Sequence, residues 1–106
     1  KIVVVLTRNP GYRKKRAVKA TEQLYKRAYK KYPNLVRTIM TRNAVYNKQM
    51  KLIEKLEEEG KIFVIRPLIP TVSRMEKDYD KLQHFYMHGN RLMKKEYQGL
   101  LEYLNE

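Results

Sequence analysis

Ile2-Val3-Val4-Val5-Leu6 is an apolar run near the start of the chain. Apolar and polar side chains do not alternate in it, which predicts a strand buried on both faces, as in the middle of a parallel sheet. Burial of both faces requires neighbouring strands and helices on each side. The chain offers few such elements, and we therefore expect its first residues to belong to the interior of a larger domain.

A second apolar run predicts a second strand, over residues 62–66, which ends before Pro67. Its β-branched residues favour a strand that is again buried on both faces. Pro33 suits the first turn of a helix and Gly60 suits the end of one, so we expect one long helix between them. A shorter helix is expected upstream, from about Ala17 to Lys31.

The remaining residues predict a third helix that begins after Asp78, a plausible N-cap. Its apolar positions continue through Gly89 and Asn90 without a change of phase, so we expect one continuous helix. The element order is β-α-α-β-α, and two strands joined by helices are normally parallel. We therefore predict the α/β class: a fragment with two buried parallel strands and three helices.

Composition restricts the class of protein. The chain has 106 residues, of which 42% are hydrophobic and 33% charged, so wholesale disorder is not expected. No apolar stretch approaches the roughly 20 residues that a transmembrane helix needs. The chain has no Cys, which excludes disulfides and thiolate metal sites and fits a reducing compartment.

The net charge of +13 is concentrated near the start of the chain. Residues 1–31 contain eleven Lys or Arg and one acid, a net charge of +10, whereas the other 75 residues have a net charge of +3. Such a patch attracts phosphate on nucleic acid, on an anionic membrane surface or on a substrate. Composition does not decide among these three partners.

Both predicted strands are followed by Arg and then by Pro, in Arg8-Asn9-Pro10 and Arg66-Pro67. Parallel sheets bind ligands outside the carboxyl ends of their strands. If the strands are neighbours, Arg8 and Arg66 lie at the same edge and are candidates to bind a phosphate or carboxylate. The alternative is that each Arg pairs with an acidic side chain or caps a helix.

Four consecutive cations form the most basic stretch, and three tyrosines follow it at helical spacing. The cations are Arg13, Lys14, Lys15 and Arg16, and the tyrosines are Tyr25, Tyr29 and Tyr32. This combination suits nucleic acid or an interfacial helix on anionic lipid. The alternative is a solvated basic face whose tyrosines pack on the body of the protein.

The sequence contains no convincing catalytic or metal centre. His84 and His88 have i, i+4 spacing, but no further ligand accompanies them, so no metal and no cofactor are expected. Neither the G-x-S-x-G nor the G-x-x-x-x-G-K-[ST] nor the G-x-G-x-x-G motif is present. Ser73 lies in a loop flanked by proline, without a partner that could activate it.

Four segments with preserved order and spacing cover nearly the whole chain: Val3-Val4-Val5-Leu6-Thr7-Arg8-Asn9-Pro10-Gly11-Tyr12-Arg13-Lys14-Lys15, Lys31-Tyr32-Pro33-Asn34-Leu35-Val36, Gly60-Lys61-Ile62-Phe63-Val64-Ile65-Arg66-Pro67 and Arg74-Met75-Glu76-Lys77-Asp78 with Lys81-Leu82. Together they closely resemble the C-terminal region of bacterial patatin-like phospholipases. These are not the family's catalytic signatures.

The resemblance implies an α/β acyl hydrolase that uses a Ser-Asp dyad. Its G-x-S-x-G serine, its glycine-rich oxyanion loop and its D-G-[GA] aspartate would all precede Lys1, so no catalytic residue is expected in this chain. Residues 1–106 would then be a C-terminal fragment of a patatin-like domain. Residues 1–16 would supply a late core strand and the basic loop, and residues 17–106 a helical extension with one further strand at 62–66.

The resemblance thus implies the C-terminal portion of a phospholipase or lipid esterase, inactive alone, whose lipid or acyl-ester substrate binds through the preceding part. The residues alone leave two alternatives: a basic nucleic-acid-binding module and a module that docks on an anionic membrane. No helix-turn-helix, zinc or RNA-binding signature supports nucleic acid. The expected location is cytoplasmic or peripheral to the inner membrane face.

Overall fold

The computed structural model describes all 106 residues and has the element order β-α-α-β-α that the sequence predicted. The strands are β1 (Val3–Val5) and β2 (Phe63–Ile65). The helices are α1 (Lys19–Ala28), α2 (Pro33–Glu58) and α3 (Tyr79–Asn105). The protein is therefore mixed α/β, with three helices and one two-stranded sheet. No helix combines the length and apolar character needed to cross a membrane.

The sheet is parallel, as predicted, and pairs Val3 with Phe63 and Val5 with Ile65. The Leu6 N–H donates a hydrogen bond to the Ile65 carbonyl over 2.8 Å, and the Phe63 N–H donates to the Ile2 carbonyl over 3.0 Å. Alternate residues of a strand direct their N–H and C=O groups to opposite edges. The backbone groups of Val3 and Val5 therefore point away from β2, and nothing in the chain bonds to them.

The prediction that both strands are buried is wrong within this chain. Val5 remains 69% exposed and Ile2 60% exposed, because the two-stranded sheet gives β1 one neighbouring strand and no helix packs closely on it. The residues of β2 are half-buried. An apolar strand in a two-stranded parallel sheet lacks the second neighbour and the covering helices that a central strand has.

Local signals place the helix ends. The side chain of Asp78 accepts a hydrogen bond from the Asp80 N–H over 3.0 Å, so Asp78 is the N-cap of α3 as predicted. Helix α2 ends in a Schellman motif at Gly60, whose φ is +68°. In this motif the Gly60 N–H bonds the Glu57 carbonyl and the Lys61 N–H bonds the Leu56 carbonyl, both over 2.9 Å.

Helix α3 is continuous through Gly89 and Asn90, as its apolar spacing predicted. The chain divides into two compact units: Lys1–Tyr12 with Lys55–Glu106, and Arg13–Glu54. We call the first the sheet unit, since it contains both strands and α3, and the second the helical unit, since it contains α1 and most of α2. The predicted division into 1–16 and 17–106 concerns a larger domain and stays a prediction.

The buried apolar core is small. In the sheet unit it contains Ile62 and Tyr103, and in the helical unit it contains Val36. The ring of Tyr103 packs against the ring of Phe63, with 5.8 Å between the centroids, so α3 covers one face of β2. Most other large apolar side chains remain partly exposed.

Candidate functional site

The strand-edge site of the sheet unit lies where β1 and β2 end side by side. Because Val5 pairs with Ile65 in parallel register, both strands end at the same edge of the sheet. Arg66 directly follows β2, and Arg8 lies three residues beyond the end of β1. Both arginines therefore follow neighbouring strand ends, but they have different partners.

Arg66 forms an ion pair with Glu57 in the last turn of α2. The Arg66 Nη2 donates a short, charge-assisted hydrogen bond to Glu57 Oε2, and the Arg66 side chain is only 14% exposed. A guanidinium that is paired and largely covered is poorly available to an external anion. For Arg66 the structure therefore favours the alternative that the sequence left open, in which the arginine pairs with an acidic side chain.

Arg8 remains exposed at the same edge. Its Nη1 donates a long hydrogen bond of 3.4 Å to the Thr71 hydroxyl, and its guanidinium lies 4.9 Å from the centre of the Tyr12 ring. No carboxylate neutralises Arg8. Of the two predicted anion-binding arginines, Arg8 is the one that retains an unpaired charge, and its role in binding stays a prediction.

Asn9 ties the two loops of this edge together, a role that the sequence did not predict. Its Nδ2 donates to the Pro67 carbonyl over 3.1 Å and to the Ile69 carbonyl over 2.6 Å. The side chain thereby joins the loop after β1 to the loop after β2. Asn is common in loops, so its identity alone gave no signal of this contact.

A cavity of about 280 Å³ lies at the strand edge, between the strand ends and the middle of α3. Its apolar lining includes Leu6, Phe85 and Leu92. Polar groups come from Thr7, Arg66 and His88. The Nε2 of His88 accepts a hydrogen bond from the Leu68 N–H over 3.1 Å. His88 therefore positions the loop after β2, and His84 is exposed on the same helix.

In the helical unit, residues 13–16 form the basic segment, an extended stretch held along α2 by side chains of that helix. Asn47 pairs with both backbone groups of Lys14, accepting from its N–H over 2.8 Å and donating to its carbonyl over 2.9 Å. Asn43, one turn earlier, donates to the Lys15 carbonyl over 2.7 Å. The i, i+4 spacing places both amides on one face of α2.

The four cations of the basic segment are not equivalent. Arg13 forms an ion pair with Glu54 over 2.7 Å, and the ammonium of Lys14 lies 4.3 Å from the centre of the Tyr46 ring. Lys15 and Arg16 are exposed and have no carboxylate partner. Two of the predicted anionic-surface residues thus hold the segment on α2, and the other two present their charges to solvent.

No group of three or more His, Cys, Asp or Glu side chains is arranged to hold a metal ion. The one titratable group whose pKa is clearly displaced is Glu22 on α1. The hydrogen bond from Lys26 and its positive charge lower the pKa of this carboxyl, and the charges of Arg16 and Lys19 add to the effect.

The chain combines a small parallel sheet with long helices and a basic helical unit. It belongs to the family described as a domain of unknown function (DUF6363), whose model matches residues 32–105. The matched region contains α2, β2 and α3, whereas β1, the basic segment and α1 precede it. Comparison with curated proteins and with solved structures gives no match.

Proposed function

We propose that this chain is the C-terminal portion of a patatin-like serine acyl hydrolase, a phospholipase or lipid esterase of lipid metabolism. In this proposal the chain belongs to a larger α/β sheet domain, and the catalytic Ser-Asp dyad lies upstream of Lys1. The 106 residues contribute a strand and helices to that domain and do not hydrolyse esters alone. The lipid or acyl-ester substrate binds through the preceding part.

The open edge of β1 carries this proposal. The backbone N–H and C=O groups of Val3 and Val5 point away from β2 without a partner, and the Val5 side chain is 69% exposed. Parallel strands occur almost only in sheets covered on both faces. A further parallel strand beside β1, with its helix, would pair these backbone groups and bury these side chains.

Arg8 has a specific role in the proposal. Ligands of open α/β sheets bind in the crevice outside the carboxyl ends of the strands, where Arg8 lies with an unpaired charge. We assign it to the phosphate of a phospholipid substrate, because a guanidinium forms strong, charge-assisted hydrogen bonds with phosphate oxygens. Arg66 has a structural role instead, since Glu57 already neutralises it.

Ester hydrolysis by the complete gene product tests the proposal. We expect the complete protein to hydrolyse a p-nitrophenyl acyl ester and a phospholipid, and the 106-residue chain to hydrolyse neither. Arg8→Gln in the complete protein should raise the KM for the phospholipid more than that for the uncharged ester. Turnover by the 106-residue chain, or an inactive complete protein without upstream G-x-S-x-G and D-G-[GA] motifs, would overturn it.

A second candidate function is binding to an anionic surface or polymer, and the helical unit favours it. Residues 13–54 contain thirteen Lys or Arg and two acids, so this unit contributes +11 of the net charge of +13. Both acids are already paired, Glu22 with Lys26 over 2.8 Å and Glu54 with Arg13 over 2.7 Å. We expect the chain to bind anionic vesicles or duplex DNA with an affinity that falls steeply as salt rises.

A further inference from the structure

Helix α1 is amphipathic. At 100° per residue, Thr21, Leu24, Tyr25 and Ala28 lie on one side of the helix, and Tyr29 at its C-cap extends this side. The opposite side contains Lys19, Gln23, Lys26 and Arg27, together with Glu22, which is paired with Lys26. A helix with an apolar side and a basic side is typical of a peptide that lies in the plane of a membrane interface.

The apolar side of α1 is only partly used to build the protein, since Thr21 and Tyr25 are half-buried whereas Leu24 and Ala28 are exposed. None of the residues of α1 is buried, and Leu24 is 65% exposed. Val18 before the helix and Tyr32 after it are also exposed. The rings of Tyr25 and Tyr29 stack on each other, with 6.1 Å between their centroids, while Tyr29 remains exposed. The expectation that these tyrosines pack on the body fails for Tyr29 and Tyr32.

Unpaired cations surround this apolar side. Arg16 precedes α1 and Lys30 and Lys31 follow it, and all three are exposed without a carboxylate partner. Within the helix, Lys26 is paired with Glu22, but Lys19 and Arg27 are exposed and unpaired. Apolar and cationic side chains are therefore presented to solvent together, over about three turns of helix.

We propose that α1 docks on an anionic lipid bilayer, with Leu24 and Tyr29 inserted at the level of the headgroups and the flanking cations bound to lipid phosphates. The apolar residues and the cations of this surface would then each contact a part of the bilayer. Tyr is enriched at membrane–water interfaces because its ring is apolar and its hydroxyl polar. Basic side chains near an anionic leaflet add attraction that adjacent apolar insertion reinforces.

The aliphatic residues distinguish a bilayer from a nucleic acid. A phosphate backbone would satisfy Arg16, Arg27 and the lysines, but it would leave Val18 and Leu24 in water. A bilayer interface removes the aliphatic side chains from water and also offers lipid phosphates to the cations. The inference rests on the second candidate function, names its partner, and does not depend on the acyl-hydrolase proposal.

A single tryptophan tests the insertion, because the chain contains no Trp of its own. In Leu24→Trp, vesicles that contain phosphatidylglycerol should shift the indole emission to the blue, and brominated lipids should quench it. Vesicles of phosphatidylcholine alone should give a much weaker shift. Tyr97→Trp is the matched control, since Tyr97 is a large exposed residue on α3 in the other unit, and its emission should not shift.

Paired substitutions test the two parts of the surface separately. Leu24→Gln with Tyr29→Gln should weaken vesicle partitioning about tenfold or more, because two apolar groups are no longer inserted. Tyr97→Gln with Leu104→Gln removes comparable exposed groups from α3 and should change little. Arg27→Gln, Lys30→Gln and Lys31→Gln together should weaken partitioning on the order of a hundredfold.

A matched control for the charges is the removal of Arg91, Lys94 and Lys95 from α3, which should have a smaller effect. If the chain binds anionic vesicles but Leu24→Trp shows no blue shift, insertion is wrong while anionic-surface binding stands. If the chain binds duplex DNA and no vesicles, the bilayer is the wrong partner. If it binds neither, the inference and the second candidate function are both overturned. None of these three outcomes affects the ester-hydrolysis test of the acyl-hydrolase proposal.

Discussion

Tyr103 and Ile2, separated by 101 residues in sequence, are joined by hydrogen bonds of both backbone groups of Ile2. The Ile2 N–H donates to the Tyr103 hydroxyl over 3.0 Å, and that hydroxyl lies 3.1 Å from the Ile2 carbonyl. The Lys61 carbonyl also lies 3.0 Å from it. One buried phenol at the end of α3 thus holds the starts of both strands.

Tyr103→Phe should lower the free energy of unfolding by about 1 to 2 kcal/mol, because Ile2 loses a buried partner while the ring remains. Urea unfolding of the wild-type chain and the variant measures the difference. Tyr97→Phe is the control, since Tyr97 is exposed and should change stability by less than about 0.5 kcal/mol. Equal effects of the two substitutions would contradict the role given to Tyr103.

Arg66→Gln should destabilise the chain by about 1 to 2 kcal/mol, because the substitution leaves Glu57 without its charge-assisted partner. The comparison is Lys26→Gln, which breaks the more exposed pair with Glu22. Exposed i, i+4 pairs on helices are worth only about 0.3 to 0.5 kcal/mol. Chemical unfolding at low and high salt measures the loss of stability in both variants. High salt should abolish only the loss caused by Lys26→Gln. A loss at Arg66 no larger than that at Lys26 would show that Arg66 is not structural.

Asn9→Ala should cost about 1 to 2 kcal/mol, since the Pro67 and Ile69 carbonyls each lose a hydrogen bond. Hydrogen exchange should become faster in the loops after both strands, because Asn9 joins them. Asn90→Ala, in the exposed interior of α3, is the matched control. We expect it to be neutral or stabilising because Ala is the better helix former, and unchanged exchange at the strand edge in Asn9→Ala would exclude the proposed tie.

Two Gly→Ala substitutions should change the free energy of unfolding in opposite directions. Gly60 has a φ of +68°, so Gly60→Ala forces a side chain into the left-handed region and should cost about 1 kcal/mol. Gly89 lies inside α3, and a Cβ there meets no atom within 4 Å. Gly89→Ala should therefore raise stability by about 0.5 to 1 kcal/mol. Thermal unfolding of both variants measures the signs, and a shared sign would contradict one of the two backbone assignments.

The stability of α1 should depend on pH through the ionisation of Glu22. The hydrogen bond and charge of Lys26 lower the pKa of Glu22, so the folded chain binds this proton less readily than the unfolded chain. Its stabilising contribution is therefore present at neutral pH and is lost as the pH falls through the lowered pKa. An NMR titration should place the Glu22 pKa below the usual glutamate range, and Lys26→Gln should raise it. A titration unchanged by Lys26→Gln would mean that another group causes the shift.

The features that the sequence predicted well are those that depend on a few neighbouring residues. Pro33, Gly60 and Asp78 mark helix ends through backbone geometry or a local hydrogen bond, and all three do so in the structure. The continuity of α3 through Gly89 followed from apolar spacing alone. Helix α1 is shorter than predicted and begins at Lys19, after the basic segment leaves α2.

Contacts between residues distant in the chain could not be predicted from the sequence. The pairing of Asn47 with Lys14 depends on an extended segment that lies along a helix about 33 residues further on. The only signal was the i, i+4 spacing of Asn43 and Asn47, which many helices show without such a function. The Arg66–Glu57 pair was foreseen only as one alternative, since several acids lie near the end of α2. The prediction that β1 is buried was wrong for this chain. An apolar pattern indicates that a strand is suited to burial, but the neighbouring elements that are present determine how far its side chains are buried.

The contact between Ile2 and Tyr103 also fixes an order of events during synthesis. Within this chain β1 is synthesised before β2, and β2 is synthesised before Tyr103. At about 5 to 20 residues per second, Ile2 waits roughly 5 to 20 s for Tyr103. The helical unit, residues 13–54, is synthesised well before that. Until β2 and Tyr103 are made, the apolar run 2–6 lacks both of its partners in this chain, and it is then available to a chaperone or to another strand.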